Sequence, residues 1–103
     1  MFEVLTTPEF DKDFSKLDKS VKLRFDKAIE QLRANPYTGK PLGYEFFREK
    51  KIGKYRIYYL TYEDHLFVFV IAMSEKKDQQ AAIERVKGLI PFYREEVKKM
   101  FKS

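Results

Sequence analysis

A chain of 103 residues has the size of one domain, and its 44% hydrophobic content supplies one core and no more. With no Cys and a single His (His65), it excludes disulfides, thiolate metal sites, a cysteine nucleophile and a His-based metal cluster. The 21 Lys and Arg outweigh 16 Asp and Glu, a formal charge of +5, which points to a polyanionic partner or, more blandly, to a well-solvated surface.

Residues 2–6 have strand composition. Thr7-Pro8-Glu9 then offers an N-cap, a proline at the first helical position and an acidic first turn. Phe10, Phe14 and Leu17 share one helical face, and after a short joint capped by Asp18 or Ser20 a second stripe follows: Val21, Phe25, Ala28, Ile29, Leu32. Asn35-Pro36 stops that helix, because a residue before proline avoids the α region. Residues 36–45 are rich in turn formers and read as loop. Phe46–Ile52 and Tyr55–Tyr62 read as strands joined by Gly53-Lys54, a two-residue connection suited to a type II′ turn. Glu63-Asp64 makes the next turn, and the unbroken apolar run within His65–Ser74 implies a strand buried on both faces. Residues 79–101 look helical, and Gly88 and Pro91 argue for two shorter helices rather than one rod. The expected fold class is α+β: β-α-α-β-β-β, a helical hairpin packed on a small antiparallel sheet, with residues 79–103 a helical extension of a single domain 1–103.

No stretch matches a phosphate-binding glycine loop, since Gly39, Gly43, Gly53 and Gly88 are too scattered. The longest apolar run, Leu66–Met73, is too short for a bilayer, and nothing N-terminal reads as a signal peptide. A cytoplasmic protein without a membrane partner is therefore expected. The chemistry concentrates in the hairpin. If Gly53 and Lys54 form the loop, Ile52 pairs with Tyr55, Lys51 with Arg56, Lys50 with Ile57 and Glu49 with Tyr58. One face then carries Phe47, Glu49, Lys51, Arg56, Tyr58 and Leu60. The opposite face, with Tyr55, Ile57 and Tyr59, is the more apolar and is expected beneath the helices, leaving the first set outward. Lys51 against Arg56 is unfavourable unless an anion lies between them, so the pair suggests a phosphate seat; the alternative is a solvated face relieved by Glu49. Phe47 and Tyr58 on that face could stack on unpaired bases, or equally be core under the C-terminal helix.

The segment Lys51-Ile52-Gly53-Lys54-Tyr55-Arg56-Ile57-Tyr58-Tyr59 is similar to the (R/K)-V-G-D-Y-R-I-x-Y signature of the RelE/ParE toxin superfamily. The element order, the Asn35-Pro36 helix stop, the Gly39-Lys40-Pro41-Leu42 loop and the strand ending Val70–Ser74 extend the resemblance over nearly the whole chain. It implies a toxin of a type II toxin–antitoxin pair. RelE-like members cut mRNA in the ribosomal A site by a metal-independent attack of the ribose 2′-hydroxyl on its own phosphate. ParE-like members instead block DNA gyrase, and a non-toxic paralogue would keep only antitoxin binding. On the cleaving reading, Arg56 matches the phosphate-stabilising arginine, Lys51 the basic position before the glycine, and Lys76 or Lys77 the basic residue after the last strand. Glu49 stands where a general base would, with a salt-bridge role as its alternative. Tyr58, Phe47, Lys54 and Lys77 are the candidate RNA contacts. No cofactor or metal is implied. The implied partners are a cognate acidic, RelB-like antitoxin, the ribosome and mRNA, with a homodimer and a toxin–antitoxin heterotetramer both open. Members usually carry a His or Tyr acid soon after the last strand, whereas Glu75-Lys76-Lys77-Asp78-Gln79-Gln80 has neither.

Overall fold

Thr7 is the first joint of the fold. Its hydroxyl accepts from the Phe10 amide at 3.1 Å, which starts a helix whose first residue is Pro8. In the computed structural model, which describes residues 1–102, strand β1 (Glu3–Thr6) enters this helix, α1 (Pro8–Ser15), and α2 (Lys19–Ala34) follows with Asp18 as its cap. Then come β2 (Lys40–Tyr44), β3 (Phe47–Ile52), β4 (Tyr55–Tyr62), β5 (Phe67–Glu75) and the final helix α3 (Gln79–Met100). Ser103, the last residue of the expected extension, lies outside the described residues. Among the described residues no helix is long and apolar enough to cross a membrane.

The α+β order is present, with two differences in the sheet. It has five strands in the order β1-β5-β4-β3-β2, and β1 runs parallel to β5 while the other pairs are antiparallel. The additional strand, β2, lies in the segment expected to be loop. Pro41 and Gly43 hide it, yet both are tolerable on an edge strand that pairs only with β3. The hairpin register is as derived: Ile52 opposite Tyr55, Lys51 opposite Arg56, Glu49 opposite Tyr58. Gly53 adopts φ +60°, the left-handed value that the first loop position of a type II′ turn needs.

The two faces of this sheet are covered separately. Facing α1 and α2 are Ile52, Ile57, Tyr59, Val68 and Val70, packed on Phe10, Phe25, Ala28 and Leu32. Facing α3 are Phe47, Tyr58, Leu60, Phe67, Phe69 and Ile71, packed on Ala82, Val86, Ile90 and Val97. The set expected to face outward is therefore covered over most of its length, and of its charged end Glu49 and Arg56 are also buried, leaving only Lys51 exposed. The helix that covers it is continuous through Pro91, where a break was expected. Pro91 and Gly88 are both solvent-exposed, so the carbonyl that proline leaves unbonded can turn to water. The buried stripe Ala82, Val86, Ile90, Val97 runs through the proline, and its three larger aliphatics each contribute roughly 1.5–3 kcal/mol, more than the ~3 kcal/mol proline cost in sum.

One irregularity in β5 shapes the site. Tyr58 pairs with Ala72 and Tyr59 with Val70, so Ile71 is an extra residue, a β-bulge. Its carbonyl accepts from the Thr7 hydroxyl at 2.6 Å. The bulge resets the alternation, turning Ser74 onto the face of Arg56, its ladder partner, and Tyr58.

Candidate functional site

The turn end of the β3–β4 hairpin forms one wall of a cleft of about 450 Å³ lined by Thr38, Gly39, Lys40, Glu49, Lys50, Lys51, Arg56 and Gln79. Four segments converge there for separate reasons. The 38–40 segment is held down by Arg48, whose guanidinium donates to the carbonyls of Gly39 (2.9 Å), Tyr37 (3.2 Å) and Glu45 (2.9 Å). Gly39 cannot carry a side chain there, since a Cβ would lie 2.4 Å from both the Glu49 carbonyl and the Tyr59 hydroxyl. β2 stops pairing at Lys40 opposite Glu49, leaving Lys50–Ile52 as an open strand edge. The last wall is the first turn of α3, which brings Gln79 over the sheet.

Within the cleft, Arg56 and Glu49 form an ion pair, Nε to Oε1 at 3.4 Å, with both side chains more than nine-tenths buried. Arg56 also donates through Nη1 to the carbonyls of Gly53 (3.2 Å) and Tyr55 (3.0 Å), which locks the guanidinium to its own turn. Among the described residues no acceptor engages Nη2. The Glu49 carboxylate accepts from Gln79 Nε2 at both oxygens, 2.7 and 2.9 Å. Lys51 is exposed beside this pair, and Lys50 reaches Thr38 Oγ1 at 3.0 Å. Burial pulls the Lys50 ammonium below the usual lysine range. An anion entering the cleft would meet the free end of a fixed guanidinium fork and two ammonium groups.

Of the residues singled out from the sequence, the structure brings Glu49, Lys51 and Arg56 together. Phe47 and Tyr58 are corrections: each is at 0% exposure beneath α3, so neither ring is open for a base to stack on. The Tyr58 hydroxyl lies 2.7 Å from Ser74 Oγ, and burial pushes its pKa up, so it stays a protonated core phenol. Lys54 lies outside the cleft, ion-paired with Glu75 at 3.6 Å. Lys76 and Lys77 are exposed in the 3-10 turn after β5 and do not line it either. His65 sits in the turn at the opposite end of the hairpin, stacked on Phe101 with ring centroids 4.3 Å apart. The missed residues are Lys50 and Gln79. Strand alternation assigned Lys50 to the other face, but a long side chain at an open edge reaches round it. Gln79 lies 30 positions from Glu49, and only the start point of α3 brings them together.

The molecule is thus a small α+β domain: a hairpin-built sheet between an N-terminal helical pair and a C-terminal helix, with a basic cleft at the hairpin turn. A family model described as the ParE toxin of the type II toxin–antitoxin system parDE matches residues 4–80, and the chain belongs to this family. The match stops in the first turn of α3. Among solved structures the chain resembles a double arginine-to-alanine mutant of Escherichia coli toxin RelE in the free state, with 20% identity and TM-score 0.72 over 86% of this chain and 98% of that one. It also resembles a chain of the intact E. coli RelBE toxin–antitoxin complex (20% identity, TM-score 0.66, 73% and 96% covered). A third likeness is to the toxin–antitoxin complex RelBE2 of Mycobacterium tuberculosis (24%, TM-score 0.64, 72% and 96% covered). At these identities the likenesses establish the fold. No curated protein matches the sequence.

Proposed function

We propose that this toxin is an endoribonuclease of the RelE kind, cleaving mRNA at the ribosome by metal-independent transesterification and held inactive by an acidic, RelB-like antitoxin over the same cleft. The observation that carries the reading is the uncommitted Nη2 of a buried, immobilised Arg56, beside Lys51 and within ion-pairing distance of Glu49, the only carboxylate that lines the cleft among the described residues. A scissile phosphate takes the place of Glu49 on Arg56 and is flanked by Lys51, which together stabilise the added charge of the phosphorane. Glu49, released toward Gln79, takes the 2′-hydroxyl proton. O2′ bonds to phosphorus as the P–O5′ bond breaks, leaving a 2′,3′-cyclic phosphate and a 5′-hydroxyl. Lys50 supplies the proton for the departing O5′, standing in for the His or Tyr absent after β5. Desolvation makes it a better acid than a free lysine.

The test is Arg56→Lys expressed without antitoxin. It keeps a cation against Glu49, which an alanine would leave buried and unpaired at a cost of about 3–5 kcal/mol, but removes the fork. Growth arrest and primer-extension stops in mRNA should be present for the parent and lost for the variant, which should still unfold in one cooperative transition, at a melting temperature lowered by the two lost backbone hydrogen bonds. A variant that cleaves like the parent refutes the role of Arg56. The matched ParE family model favours a second reading, in which the toxin inhibits DNA gyrase without cutting RNA. Inhibited supercoiling with intact mRNA would establish that reading, and neither effect would leave an antitoxin-binding paralogue.

A further inference from the structure

The open edge of β3 has a second basic surface on its other side. Between α2 and β3 runs a groove of about 390 Å³ whose polar lining is Arg24, Lys27, Gln31, Lys50 and Lys51, and it contains no carboxylate. Arg24 and Lys27 are three apart on one helix and project together, both exposed. Among the described residues none of the four cations makes an ion pair. Arg24 lies so close over the hairpin turn that a Cβ on Gly53 would sit 2.8 Å from its Nη2. The glycine itself is required by its φ of +60°, since the exposed Arg24 side chain could move aside for a Cβ. Four like charges around one groove repel unless an anion joins them. Lys50 and Lys51 line this groove and the Arg56 cleft alike, so the two are successive stations around one strand edge.

We propose that the α2–β3 groove is a second phosphate-binding station, so that a single RNA strand bends round the open edge of β3 with one phosphate at Arg56 and a neighbouring stretch of backbone against Arg24 and Lys27. The inference rests on the RNA reading of the cleft and adds the path of the strand. Charge alone would also suit an acidic peptide. The groove favours a phosphodiester because its cations come from two rigid elements and continue in one line into the cleft.

Fluorescence anisotropy with labelled 2′-O-methyl RNA, which lacks the attacking hydroxyl, tests this with a dinucleotide and a hexanucleotide. The parent should bind the hexamer more tightly. Arg24→Ala with Lys27→Ala should weaken the hexamer roughly tenfold and make the salt dependence shallower by about 0.7 per lost cation, leaving the dinucleotide unchanged. The charge-matched control Lys87→Ala with Lys99→Ala, two exposed lysines on α3, should do neither. A double variant that binds the hexamer like the control overturns the station. So does equal weakening of both lengths, which would make the groove part of a diffuse field. A hexaglutamate peptide bound by the parent and lost in the variant, with RNA binding intact, would reassign the groove to an acidic protein segment. A parent that binds neither RNA overturns the RNA reading itself, whatever the variant does.

Discussion

The two faces of the sheet are covered by helices of different origin, and the difference locates the site. On one face the cover is α1 and α2, adjacent in sequence and knit by Phe10, Phe14, Phe25 and Tyr55, whose neighbouring ring centroids lie 5.6–6.3 Å apart. On the other face the cover is α3 alone, arriving from the chain's end and starting at Gln79. It covers the sheet residues from Phe47 to Ile71 but leaves the hairpin turn uncovered. There the residue pattern changes from aromatic to charged, with Gln79 at the boundary and its amide on Glu49. The catalytic cleft proposed above lies where the second cover stops.

The largest effects should come from the core of each face. Phe47→Ala and Phe25→Ala each remove a ring at 0% exposure and should each cost about 3–5 kcal/mol, read as matching losses in urea midpoint. A much smaller loss at Phe47 would mean that α3 lies only loosely on its face. Pro91→Ala sharpens the same point from the other side. It restores a helix hydrogen bond at an exposed position and should stabilise the protein by up to about 3 kcal/mol, seen as a higher midpoint with unchanged denaturant slope. No gain would mean that the helix already bends at Pro91 to fit the sheet.

These residues also mark how far the sequence could be read. The hairpin register was legible because a two-residue turn with Gly53 admits one pairing, and that pairing alone brought Lys51, Arg56 and Glu49 together. The bulge at Ile71 was not, because the run from Leu66 to Ile71 is apolar at every position and carries no alternation to be broken. The continuity of α3 was hidden because Pro91 signals a break locally, while burial on both sides of it decides the outcome. Lys50 and Gln79 were missed for the same reason: their partners are set by tertiary placement rather than spacing.

At the open end of the α3-covered face, Lys50 gives a pH test. As the proposed acid it must be protonated, so cleavage should decline as pH rises through its pKa, which burial places below that of a free lysine. Lys50→Arg keeps the charge but cannot give up a proton, so the variant should lose most of its single-turnover rate, and the alkaline limb set by Lys50 should vanish from what remains. An unmoved limb would remove Lys50 from the proton path. The same shift bears on stability with the opposite sense of pH. The unfolded chain binds more protons between the two pKa values, so this group makes the free protein more stable as pH rises through that window.

The smallest effect should be at an ion pair that ties the two covers directly. Arg85 on α3 grips Glu9 in the first turn of α1 with two hydrogen bonds, at 3.0 and 2.5 Å, joining a helix on one face to a helix on the other. Its geometry suggests a clasp, yet both side chains are 39–48% exposed, and an ion pair so wetted contributes no more than about 1 kcal/mol and weakens with salt. If burial of Ala82, Val86, Ile90 and Val97 holds α3 in place, Glu9→Gln should lower the urea midpoint only slightly, and 1 M NaCl should erase the difference. A loss several times larger that persists in salt would mean that α3 depends on α1 for its position. The two faces would then be one cooperative clamp, and the opening at Gln79 would be controlled from the far edge of the sheet.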